Sequence, residues 1–247
     1  MNAPAKKPFS LQPFVAPALA VLAVVALVPL SGILPPAAAQ EGMLVPLPAR
    51  DAPLAAAPGM EKAVVAGGCF WGVQGVFQHV KGVTMAVSGY SGGAADTAQY
   101  RVVGTGATGH AEAVEITYDP SQISYGKILQ IFFSVAHDPT QKDRQGPDVG
   151  TQYRSAIFTA NAEQAEIARD YIAQLDKAGV YSAPIVTEVA PLDAFYAAED
   201  YHQDYATLHP DSGYIIYNDL PKIANVKALF PELWREAPVL VNVAAKS

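Results

Sequence analysis

Cysteine is nearly absent from this chain: Cys69 is the only one among 247 residues, so no internal disulfide and no multi-cysteine zinc site can form. Positive charge is also short, with 16 Lys and Arg against 23 Asp and Glu and a formal net charge of −7. That acidity removes nucleic acid from the expected partners. Nucleotide-binding signatures are missing too. There is no Walker loop, and Gly104-Thr105-Gly106 lacks the third glycine of a dinucleotide fingerprint.

The longest uncharged run lies at the N-terminus. There Lys6 and Lys7 precede an uncharged stretch from Val15 to Leu34, and Ala37-Ala38-Ala39 stands before Gln40. The pattern reads as a secretory leader with a small-residue cleavage site. The alternative is an uncleaved anchor, since about 20 apolar residues can span a bilayer. Pro17 and Pro29 shorten any helix and favour the leader. The expected location is therefore outside the cytoplasm, in a bacterial periplasm, or anchored to a membrane and facing it. Residues 1–39 are assigned to this segment. Residues 40–60, rich in Ala and Pro and without periodicity, are assigned to a tether. The folded part then begins near Glu61.

What is present around the lone cysteine is a pattern. A short apolar run, Ala63-Val64-Val65, leads into Gly67-Gly68-Cys69-Phe70-Trp71-Gly72, and Phe70, Val73, Phe77 and Val80 then recur on one helical face. Paired glycines permit a sharp turn, and Cys69 falls at the helix start. Free amides and the helix dipole there favour a thiolate, which predicts a lowered pKa for Cys69. A buried structural cysteine is the alternative.

The remaining elements alternate irregularly. Strands are predicted at Val83–Tyr90, Ala111–Tyr118, Ser155–Phe158 and Ile185–Ala190. Helices are predicted from Tyr125 up to Asp138-Pro139, and after an Asn161/Gln164 cap. A polar loop is expected from Ser91 to Gly109. The fold class expected is α+β: a two-layer sandwich with a small mixed sheet, a ferredoxin-like core and packed helices.

Period-two geometry in Ala111–Tyr118 places Glu112 with Val114, Ile116 and Tyr118. A carboxyl on an apolar face resists ionising and can act as an acid near neutrality. As the second residue of its strand, Glu112 could equally reach water at the rim. Twelve tyrosines are present, most of them expected to pack; Tyr100 and Tyr153, in loops before predicted strands, are better site candidates. His110 and His137 keep a Cys/His hydrolase open, and His202 between Asp200 and Asp204 raises a metal site, although residues two apart leave a helix on different faces.

Seven segments occur in order: Gly68-Cys69-Phe70-Trp71-Gly72, Gly89-Tyr90-Ser91-Gly92-Gly93, Tyr100-Arg101, Gly109-His110-Ala111-Glu112-Ala113-Val114, His137-Asp138-Pro139, Gly150-Thr151-Gln152-Tyr153-Arg154-Ser155 and Ala198-Glu199-Asp200-Tyr201-His202-Gln203. Together they resemble the A-type peptide methionine sulfoxide reductases. The resemblance implies that Cys69 attacks the sulfur of a methionine S-sulfoxide, with Phe70 and Trp71 around its methyl group. It implies that Glu112 protonates or hydrogen-bonds the sulfoxide oxygen, that Tyr100 and Tyr153 donate to it, and that Asp148 orders the site. It further implies a catalytic domain over 61–215, oxidised proteins and peptides as substrates, and no bound metal or cofactor. Relatives often carry resolving cysteines in a C-terminal tail, and residues 216–247 contain none. An external thiol, a thioredoxin-like protein or a small thiol, is therefore expected to reduce the Cys69 sulfenic acid. Two other classes stay open from the residues alone: a different cysteine enzyme, and a module that binds oxidised methionine without turning it over.

Overall fold

Strand β1 (Glu61–Gly67) and helix α1 (Phe70–Gln78) meet at the Gly67-Gly68 turn, and the rest of the fold is arranged about that junction. The structure, a computed structural model, describes Met1 and residues 42–241. The leader or anchor read at residues 1–39 therefore lies outside the described residues, apart from Met1. Among the described residues no helix is long and apolar enough to cross a membrane.

After α1 come β2 (Val83–Ser91), the short helix α2 (Tyr100–Val103), β3 (Ala111–Tyr118) and α3 (Tyr125–Ile131). A two-residue ribbon follows, β4 (Arg144–Gln145) with β5 (Asp148–Val149), and then β6 (Ser155–Thr159) and α4 (Ala162–Lys177). The chain closes with β7 (Glu188–Pro191), β8 (Phe195–Ala197), α5 (Tyr205–Leu208) and α6 (Leu220–Leu229). Six strands form one mixed sheet in the order β7-β6-β1-β3-β2-β8, antiparallel throughout except for the β6–β7 pair.

The sheet is larger than expected, and it is curled. Its two edges, β7 and β8, are joined by Leu192-Asp193-Ala194 alone. A link of that length reaches at most about 14 Å. A flat six-stranded sheet would hold its edges about 24 Å apart. Small side chains line the inner surface of the curl: Ala66, Ala111, Ala113 and Ala156 pack there with Val64, Phe158 and Phe195. The helices cover the opposite face. Phe70, Val73, Val76 and Phe77 of α1 are fully buried against Val114, Ile116, Phe132 and Val226 in the main core, each worth about 1.5–3 kcal/mol on burial.

Two expectations change here. The Ala/Pro-rich stretch assigned to a tether is, from Gly42 on, a strap over α3 and α4. Val45 is buried, Gln130 and Tyr171 donate to the carbonyls of Val45 and Pro46, and Asp51 accepts from the Gly126 N–H at 2.7 Å. A strap held by side chains distant in sequence leaves no periodic trace. The polar loop from Ser91 to Gly109 likewise contains α2, which begins at Tyr100.

Candidate active site

The glycine pair before Cys69 is required by what lies over it. Gly68 has φ of +89°, and a Cβ there would stand 2.5 Å from Gln145 Cβ; one at Gly67 would stand 3.0 Å from His137. Gln145 is fixed in turn by its amide, which accepts from Asp138 N–H at 3.0 Å and donates to the Asp138 carbonyl. The loop after α3 thus clamps the turn that presents Cys69.

Cys69 caps the start of α1 and is buried, with 8% of the residue's surface left open. Its electrostatics correct the sequence reading. Burial drives the thiol well above its ordinary range, Glu112 and Asp219 push the same way, and the Trp71 N–H and Lys222 oppose them without prevailing. A helix start supplies only partial charges, which do not outweigh loss of water around an anion. Without substrate, Cys69 is a thiol.

Glu112 alternates in step with Val114 and Ile116 of the main core and is 3% exposed, so it does not reach water at the rim. Its Oε2 accepts from the Phe70 N–H at 3.1 Å, placing the carboxyl beside the residue after Cys69. Burial raises its pKa to about 8, against the pull of that bond, so it is uncharged at neutral pH. Tyr100 and Tyr153 flank the same pair. Burial raises both phenols, and Glu112 and Cys69 are among the groups that raise them further.

Tyr100 is held from behind. Glu199 accepts from the Tyr100 N–H at 3.0 Å with one oxygen and from the Tyr90 hydroxyl at 2.9 Å with the other. Phe70 and Trp71 build an aromatic wall. Trp71 stacks on Tyr205 at 3.9 Å and meets Tyr214 edge-on, while His202 lies 5.1 Å from Phe70 and 4.3 Å from Tyr100 between ring centroids. Asp148, on β5, accepts from the Tyr214 hydroxyl. All seven residues singled out in the sequence therefore gather around one small surface.

The sequence reading missed the contribution of the C-terminal segment to this surface. Tyr214 was not singled out among the twelve tyrosines. Asp219 is fully buried with Lys222 3.5 Å away, and both sit where a Cβ on Gly72 would be. The available signal was Gly72 itself, a glycine inside a helical pattern.

His137 and His110 are committed elsewhere. His137 uses Nε2 on Ser155 Oγ at 2.7 Å and Nδ1 on the Phe132 carbonyl, and burial lowers its pKa to about 3. His110 bonds the Ala94 carbonyl through Nε2 at 2.9 Å. Burial keeps His202 neutral among the aromatic rings, and among the described residues no group of three His, Cys, Asp or Glu is placed to hold a metal ion.

A buried thiol beside an uncharged carboxyl, with phenols and an aromatic wall, is suited to take up an oxygen atom that must be protonated before it leaves. Residues 61–233 match the family described as peptide methionine sulfoxide reductase. The chain belongs to that family. It is similar to peptide methionine sulfoxide reductase MsrA 2 of Mesorhizobium japonicum, at 67% identity over 77% of this chain and 97% of the relative. A second relative, MsrA 2 of Synechocystis, is 52% identical over 71% of this chain and 82% of its own length. Among solved structures, methionine sulfoxide reductase A of Corynebacterium diphtheriae aligns with a TM-score of 0.54 at 38% identity, covering 70% of this chain and 88% of that one. Reduced Mxr1 of Saccharomyces cerevisiae aligns at 0.56 with 31% identity, covering 63% and 88%.

Proposed function

We propose that this reductase converts methionine S-sulfoxide to methionine by moving the sulfoxide oxygen onto Cys69. The activity, repair of oxidised methionine by a peptide-methionine (S)-S-oxide reductase, is that of its family. The observation that carries the assignment of roles is the bond from Phe70 N–H to Glu112, which sets an uncharged carboxyl beside Cys69.

A sulfoxide oxygen leaves sulfur only once it is protonated. Glu112 gives its proton to that oxygen as the Cys69 sulfur attacks, and the thiol proton replaces the one Glu112 gave up. The protonated oxygen then passes to Cys69, giving its sulfenic acid, as the sulfur–sulfur bond made in the attack breaks and its electron pair leaves with methionine. Both protons are in place before substrate arrives, which accommodates the raised pKa of Cys69. Tyr100 and Tyr153 donate to the same oxygen, Phe70 and Trp71 enclose the methyl group, and Asp148 orders Tyr214 at the mouth.

With Cys69 as the only cysteine, the sulfenic acid is reduced from outside. A thiol attacks Cys69, water leaves, and a second thiol resolves the mixed disulfide. A thioredoxin-like protein or a small thiol serves as this donor, and oxidised proteins and peptides as substrates. The N-terminal pattern of Lys6, Lys7, an uncharged run and Ala37-Ala38-Ala39 supports export to the periplasm, or anchoring at its membrane. The central strand order β6-β1-β3-β2, with α1 and α3 as crossovers, supports reading the core as ferredoxin-like. The family match to residue 233 and the packing of α6 against α1 support counting residues 216–233 with the catalytic unit that begins at Glu61.

The test is reduction of the separate epimers of dabsyl-methionine sulfoxide with dithiothreitol as donor. The S-epimer is expected to be consumed and the R-epimer to persist. Equal rates on both, or none on either, contradict the proposal.

A further inference from the structure

We propose that Lys222, held by Asp219 over Gly72, is the positioning cation for the Cys69 sulfur anion that forms during attack. The inference rests on Cys69 being the sulfur that meets substrate.

The geometry begins with Gly72. On an ideal Cβ at this residue, Asp219 Oδ1 would lie 2.2 Å away and Lys222 Nζ 3.1 Å away. The ion pair therefore fills the space that a side chain at Gly72 would take. Gly72 stands three residues after Cys69 on the first turn of α1, and helical residues three apart hold their Cβ atoms about 5–6 Å from each other. Lys222 Nζ thus lies no more than about 9 Å from the Cys69 Cβ, and its charge acts on the thiol. The first turn of α1 carries no acidic residue, so no other charge of that turn competes for the ammonium.

The groups facing Cys69 come from several elements. Glu112 projects from β3 and Asp148 lies on β5, while Tyr100, Tyr153 and Tyr214 present phenols and His137 closes the glycine turn. Asp219 and Lys222 come from the start of α6. Within that set Lys222 alone is a lysine or arginine, and burial leaves His137 neutral. Lys222 favours the ionised sulfur and Asp219 opposes it. Asp219 also has an oxygen, Oδ2, that is buried and bonded to nothing in the structure. An unsatisfied buried carboxyl oxygen is costly, and its retention beside Cys69 fits a part in charge placement better than one in packing alone. The C-terminal segment, which supplies no second cysteine, supplies a paired charge instead.

The experiment follows alkylation of Cys69 by iodoacetamide against pH in the full chain, read by intact mass; a single cysteine makes the product unambiguous. Lys222→Met is expected to raise the midpoint and slow alkylation near neutral pH about tenfold, the effect of one pKa unit. Lys222→Arg is expected to keep the wild-type rate within about twofold. Asp219→Asn is expected to lower the midpoint and speed alkylation. A structural role alone would move the Lys222→Met and Asp219→Asn variants in the same direction, and that result, or no movement in either, overturns the proposal. Should Asp219→Asn not fold, equal alkylation of Lys222→Met and Lys222→Arg overturns it unaided. Alkylation reads the thiol without turnover, so a wild-type chain inactive on sulfoxide would sink the proposed function separately.

Discussion

The main-chain N–H of Phe70 donates to Oε2 of Glu112 across 3.1 Å, so the carboxyl is moored to the residue that follows Cys69. Sequence register put Glu112 on the apolar face, and this bond fixes its position relative to the sulfur. Glu112→Gln keeps the acceptor for Phe70 and loses the proton. Single-turnover methionine formation is expected to slow by about 10²–10⁴-fold while KM for the sulfoxide changes little. An unchanged single-turnover rate would remove Glu112 from the chemistry.

Activity should fall on the alkaline side. The acid form of Glu112 is lost as pH rises through about 8, so kcat/KM for the sulfoxide step declines above that pH, and the residual activity of Glu112→Gln lacks the decline. Stability carries the same sign. The folded chain keeps this proton between the ordinary carboxyl range and about 8, whereas the unfolded chain releases it, so the contribution is full at low pH and is lost as pH rises through 8. Urea midpoints against pH are expected to slope less steeply in Glu112→Gln; parallel slopes would count against the raised pKa.

Glu199 acts through Tyr100 and Tyr90 and stands away from the sulfoxide. Its two oxygens hold the Tyr100 main chain and the Tyr90 hydroxyl, and each bond to a charged acceptor is worth about 1.5–3 kcal/mol. Glu199→Ala is expected to lower kcat/KM about tenfold or more. Combined with Tyr100→Phe, it should add less than the sum of the two single losses, because both damage the same donor. Full additivity in that cycle would separate Glu199 from Tyr100.

Gly68→Ala tests the turn. The new methyl group meets Gln145 at 2.5 Å in a left-handed backbone conformation, and the chain should lose about 1–3 kcal/mol of stability in urea denaturation. A wild-type midpoint would mean that the turn and the Gln145 loop are free to separate.

Much of the site was legible because its signals are local. The glycine pair, the strand before it and the helical spacing after it located Cys69, and period two in β3 oriented Glu112. The charge state of Cys69 was not legible. Local sequence reveals the helix start and its dipole, whereas the opposing burial is set by the fold, which also brings Glu112 and Asp219 from elsewhere in the chain to act on the thiol. The strap over α3 and the edge strand β8 escaped for a related reason: Val45, Asp51 and Phe195 gain their places from long-range bonds and from the curl of the sheet, neither of which imposes a repeat. Asp219 and Lys222 reach α1 through the fold alone, and only Gly72 marked the space they fill.

The most direct measurement is the mass of the protein after exposure to methionine S-sulfoxide with no thiol present. One methionine should form per chain, with Cys69 heavier by one oxygen atom and trapped by dimedone. Methionine formed by a chain whose Cys69 stays unmodified, or by Cys69→Ser, would contradict the account.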